Sequence, residues 1–161
     1  MLRVGSPEQV VRILPSTAGQ AVWVVSTQGC VQNEAGKPAS INCADSRGEL
    51  FDPSMSTSWN DAGNYTMELE MNLGFGDTAN FGLETIALGA SDAIGGPQLT
   101  NQTVAAFAND DFYIGLFGLN QQPTNVTSMN NPQPSFLETL RARNFIPSLS
   151  WGYTAGARYR E

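Results

Sequence analysis

The sequence predicts a mainly β protein with one or two short helices, folded as a single domain, and three observations carry that reading. Charged residues make up only 14% of a 161-residue chain that holds 16 glycines and 9 prolines, a composition suited to strands and turns rather than to a helical bundle. Short apolar runs recur along the chain, each bounded by turn-forming residues. One segment alternates with a period of two: in "YTMELEMNL", Tyr65, Met67, Leu69, Met71 and Leu73 share one face, and Thr66, Glu68, Glu70 and Asn72 share the other. The length suffices for one domain with a real core.

The elements follow in chain order. "QVVRIL" (9–14) and "AVWVVS" (21–26) read as buried strands joined by a tight turn. "YTMELEMNL" is a half-buried strand whose Met and Leu stripe is core packing. "FGLETIALG", "QTVAAFA" and "DFYIGLFGL" continue the strand series. The polar stretch "NQQPTNVTSMNNPQP" (120–134) is a surface loop. A helix begins at "PSFLETLRARN", where Ser135 and Glu138 form a capping box and Phe136 and Leu140 fall on one face. Pro147 blocks its continuation.

Charge and composition exclude several functions. The net charge is −7 with eight scattered basic residues, so the chain lacks the clustered Lys and Arg that a nucleic-acid surface needs. No apolar run is long enough to span a membrane. The chain has no histidine, which removes Ser-His-Asp and Cys-His catalysis and the usual zinc sites. No phosphate-binding loop is present, and "GFG" before Asp77 does not continue as a dinucleotide fingerprint. No cofactor or metal is therefore expected, and the remaining chemistry is that of paired carboxylates.

Three N-x-[ST] sequons, at Asn64, Asn101 and Asn125, favour a secreted or cell-surface protein whose signal peptide is not in this chain. Cys30 and Cys43 flank a polar segment without metal-ligand partners or C-x-x-C spacing, and in an exported protein they read as a loop disulfide.

The order of segments resembles the N-terminal lobe of the pepsin-like aspartic peptidases, family A1. "VGSPEQ" is similar to the family's Gly-[TS]-Pro-x-Gln opening. "STAGQAVWVV" stands where the family has Asp-Thr-Gly-Ser and an apolar-Trp-Val, and keeps Thr17, Trp23 and Val24 in register. A cysteine loop follows, then "LFDPSMSTSW", which resembles Phe-x-Pro-x-x-Ser-[ST]-[ST]. "NLGFGDTANFGLETIALG" resembles the flap region, "NQTVAAFANDDFYIGLFGL" the strand ending in Gly-[ILV]-[LF]-Gly-Leu, and "QPSFLETLRARNFI" the helix after it. The likeness runs from about residue 4 to about residue 146, and "NNPQPSFLETLRARNFIPSLSWGYTAGA" leans toward fungal members. It implies a lobe of twisted, partly barrel-like β-sheets, with a cleft formed against a C-terminal lobe of the same precursor.

The resemblance also implies what is missing. In the family each lobe supplies one aspartate, and water held between the two carboxyls attacks the peptide carbonyl. Ser16, Thr17 and Ala18 stand in place of Asp-Thr-Gly. A serine hydroxyl can hydrogen-bond a water but cannot remove its proton at acidic or neutral pH. A homodimer of this chain would hold Ser16 twice and no catalytic acid. Asn72 stands where the family's flap tyrosine belongs, so Trp23 is read as a packing residue. Gly74, Phe75, Gly76 and Asp77 form the expected flap tip and cleft wall, with Asp77 a decoy rather than a catalytic carboxylate; Asp45 is solvated loop. Three functions remain open: a catalytically inactive protein that binds a peptide or protein in the retained cleft, an active aspartic endopeptidase completed by the other lobe, and a secreted inhibitor of glycoside hydrolases.

Overall fold

The computed structural model of the chain describes residues 1–31, 40–67, 78–89, 96–124 and 132–154. Among them are the strands β1 (Leu2–Val4), β2 (Gln9–Val11), β3 (Ile13–Ser16), β4 (Val22–Val25), β5 (Asn60–Thr66), β6 (Thr78–Leu88), β7 (Gln98–Phe107) and β8 (Gly115–Gly118). Two helices accompany them, α1 (Cys43–Ser46) and α2 (Phe136–Ala142), with single 3-10 turns at Thr27–Cys30 and Pro53–Met55. The protein is mainly β, as its composition predicts.

All the strands join one sheet in the order β2-β1-β6-β7-β4-β8-β3, and β5 pairs with β6. The long β6 shares itself between β5, along Thr78 to Leu83, and β1, along Ile86 to Leu88. β2 and β3 occupy opposite ends of this order, yet Arg12 alone separates them in sequence. Neighbouring Cα atoms are about 3.8 Å apart, so the sheet must curl until its ends meet. The result is a nearly closed, barrel-like sheet.

Period-two alternation divides the core. On β4 and β7, Val22, Val24, Val104 and Ala106 enter one apolar cluster, to which α2 adds Phe136, Leu137 and Leu140. The alternate residues Trp23, Val25, Ala105 and Phe107 enter a second cluster with Met67 and Phe81. Both faces of these central strands are buried, which is why "VWVV" and "VAAF" read as continuous apolar runs. The described end of "YTMELEMNL" follows the expected pattern: Tyr65 packs against the second cluster, Thr66 is exposed and Met67 is buried. Residues 68–73 of that segment lie outside the described residues.

Two expected elements differ in detail. "QVVRIL" is not one strand, because β2 pairs antiparallel with β1 while β3 pairs parallel with β8. At the break the Arg12 N–H donates instead to the Gly48 carbonyl, at 2.6 Å. In "DFYIGLFGL" only Gly115–Gly118 is strand; the carbonyls of Phe112 and Tyr113 are taken by the Arg47 side chain rather than by a ladder. The helix α2 forms as expected, with both arms of its capping box made: Glu138 N–H to Ser135 Oγ, and Ser135 N–H to Glu138 Oε2.

Candidate functional site

The Ser16 turn is built by inserting one strand between two others. β3 ends at Ser16 and β4 starts at Val22, while β8 lies between them, parallel to β3 with Ser16 opposite Gly118 and antiparallel to β4 with Trp23 opposite Leu116. The turn closes on its own side chain: Ser16 Oγ accepts from the Gly19 N–H at 3.1 Å. It is also tied to the exit of β8, for Ser16 O accepts from Leu119 N–H at 2.8 Å and Gly19 O from Asn120 N–H at 3.0 Å. Crossing this closely requires glycine. A Cβ on Gly118 would lie 2.7 Å from the carbonyl oxygens of both Gly19 and Ala21, and one on Gly115 would lie 2.4 Å from that of Trp23.

Ser16 is half-buried, and Thr17 and Ala18 are exposed. Neither residues 13–25 nor residues 114–124 include an ionisable side chain. The turn can therefore offer hydrogen bonds but contains no side chain able to take up a proton near neutral pH. Trp23 is buried and meets Phe112 and Phe107 edge-on, at 5.1 and 6.4 Å between centroids. Of the expected cleft and flap residues, Asn72, Gly74, Phe75, Gly76 and Asp77 lie outside the described residues, as does the Asn125 sequon.

A second convergence joins three of the segments on which the family resemblance rests. Glu84 of "GLETI" is buried, and its carboxylate accepts from Ser56 Oγ at 2.6 Å, from the Ser58 hydroxyl, and from the Thr85 N–H at 2.6 Å. Ser56 Oγ in turn accepts from the Ser6 N–H at 3.0 Å. Gln9 makes paired bonds with the Asp52 backbone, at 2.9 and 2.8 Å. At Gly5 the backbone takes φ 90° and a Cβ would meet Ser56 Oγ at 2.9 Å, so glycine is needed there twice over. The sequence marks these segments but not their mutual contact.

Cys30 and Cys43 form a disulfide with Cα atoms 5.8 Å apart. The bridge holds α1 beside the Thr27–Cys30 turn, and the residue after α1 is Arg47, 2% exposed. Its guanidinium donates to the carbonyls of Gly29, Ala108, Asn109, Phe112 and Tyr113 and lies 3.1 Å from Asp110 Oδ1. Burial lowers its pKa from the ordinary arginine value, against the opposing fields of Asp110 and Tyr113. Sequence reasoning missed this residue entirely. Asp45, nearby, is exposed and pairs with Arg12 at 2.7 Å.

The sequon residues Asn64 and Asn101 are both exposed. Beyond α2, the chain of residues 145–154 carries exposed Phe145, Trp151 and Tyr153, and Gln121 Nε2 ties it at Leu149 O, 2.8 Å, to the segment following β8. Among the described residues no helix is long and apolar enough to cross a membrane, and no group of three or more metal-ligating side chains gathers. No protein-family model matches the chain, and no curated protein matches it.

Proposed function

We propose that this chain is the N-terminal lobe of a secreted, pepsin-like protein that has lost its catalytic carboxylate and binds an extended peptide or a protein partner. The observation that carries the reading is the Ser16 turn. In the position that the resemblance assigns to the catalytic aspartate, the hydroxyl of Ser16 accepts the Gly19 N–H, beside the crossing of β8 between β3 and β4, and no carboxylate lies in the turn. The convergence of "VGSPEQ", "LFDPSMSTSW" and "GLETI" on Glu84 and Ser56 supports the same reading, because residues matched only by motif order find one another in space. A C-terminal lobe of the same precursor is the natural cover for the exposed Leu14, Trp151 and Tyr153.

The test is acid proteolysis by the two-lobe form. No cleavage of a denatured protein substrate is expected between pH 3 and neutrality (roughly the range in which paired carboxyls work), together with weak binding of transition-state analogues, which bind through both carboxyls. S16D combined with A18G would then restore measurable cleavage if the other lobe carries its aspartate. Robust proteolysis by the unmodified protein, abolished by removing a carboxylate such as Asp77, would overturn the proposal.

A further inference from the structure

The sequons differ in what folding does to them. In Asn64-Tyr65-Thr66 both Asn64 and Thr66 are exposed, on a strand that pairs only with β6 among the described residues. In Asn101-Gln102-Thr103 the two ends meet opposite environments: Asn101 is exposed, whereas Thr103 is 5% exposed. Regular alternation would put residues i and i+2 on one face. A β-bulge prevents it here. Glu84 pairs with Gln102 and Ile86 with Leu99, so Thr100 and Asn101 together stand against Thr85. Asn101 takes φ 58°, in the left-handed region that asparagine tolerates better than most residues.

The Thr103 hydroxyl is thereby carried into the interior, where it has no hydrogen-bond partner among the described residues. A buried, unsatisfied hydroxyl destabilises the fold, and valine would fill the same space without it. The folded state gives no reason for threonine here. The unfolded chain does, because an N-x-[ST] acceptor is recognised through its +2 hydroxyl together with the asparagine amide.

We infer that Asn101 is an N-glycosylation site open only before β6 and β7 pair, and shut by the folding that buries Thr103. The co-substrate is an oligosaccharide linked to a lipid pyrophosphate. Asn101 Nδ2 attacks its anomeric carbon, a C–N bond forms as the C–O bond to pyrophosphate breaks, the lipid pyrophosphate leaves with the electron pair, and one amide proton passes to solvent. The glycan then projects from the bulge, where Asn101 already faces outward. This rests only on the export half of the proposed function, not on the missing carboxylate, so either can fail alone.

The experiment gives a purified oligosaccharyltransferase and lipid-linked oligosaccharide either the reduced, denatured chain or the same chain refolded with Cys30–Cys43 closed, and reads occupancy at Asn101 by mass spectrometry. Occupancy is expected on the unfolded chain and a drop of at least about tenfold on the folded one, since access there requires opening of a central strand pair. Equal occupancy of the two forms, or none on the unfolded chain, overturns the inference. T103V supplies the second arm. It should abolish modification of Asn101 on the unfolded chain while leaving the thermal midpoint of the unglycosylated protein unchanged or higher, by roughly 2–4 °C. A lower midpoint would show that the hydroxyl serves the fold and would equally overturn it.

Discussion

Arg47 and Glu84 are the charged side chains that the fold takes fully inside among the described residues, and they show two degrees of legibility. Glu84 is satisfied by hydroxyls from Ser56 and Ser58, residue types that already set "LFDPSMSTSW" apart as a segment, so its surroundings left a trace in the sequence. Arg47 is satisfied by carbonyl oxygens. Every residue owns one of those, so apart from the Asp110 carboxylate beside the guanidinium nothing in the identities of residues 29 and 108–113 announces the contact. The two sites respond differently to near-isosteric change. E84Q keeps one acceptor but turns an amide donor toward hydroxyls that must also donate, and should cost about 1.5–3 kcal/mol in urea unfolding. R47K keeps the charge but replaces a planar fork with a point donor that cannot reach five carbonyls. Breaking a buried charge network of this kind should cost about 3–5 kcal/mol by the same measurement, and loss of less than a quarter of that would show that water replaces the guanidinium.

At the level of elements, apolar runs with turn residues at their ends located β4, β6 and β7, and the capping box located α2, because each signal is local. What local signals could not supply is which strands become neighbours. The insertion of β8 between β3 and β4 depends on glycines whose purpose is visible only once the strands cross, since "GLFG" taken alone is an ordinary strand ending. The G118A variant puts a methyl against two backbone oxygens that cannot rotate away, so it should cost about 1–3 kcal/mol and disturb the Ser16 turn, visible as altered amide shifts of Gly19 and Leu119. By contrast, S135A removes the α2 cap acceptor and a 3.4 Å donation to the Gln121 carbonyl, and should cost about 1 kcal/mol, with the Ser16 turn unchanged. Equal perturbation of the turn by both variants would mean that α2 and the crossing are not separable.

For the whole molecule, mainly β character was legible from composition and a partly barrel-like sheet from the resemblance, whereas the place where the sheet closes was not, because it depends on a single residue dividing one apolar run between two partners. The disulfide was legible once export was argued. Its removal by C30S with C43S should lower stability by roughly 3 kcal/mol, the chain-entropy value for a loop of this length, with loss of order concentrated in the carbonyls that Arg47 gathers. Closure has a consequence for how the protein can open. A ring whose first and last staves are one unbroken length of chain has no loose end from which to peel. Freeing β3 from β8 pulls on β2 through Arg12, and the pull arrives at β1 on the far side of the seam. Native-state hydrogen exchange should therefore give the β1–β2 and β3–β8 ladders one shared opening free energy, whereas two well-separated values would make Arg12 a joint. The Ser16 turn, at the tip of that shared stave, is then braced from both directions at once, and forms a surface that yields only when the ring does.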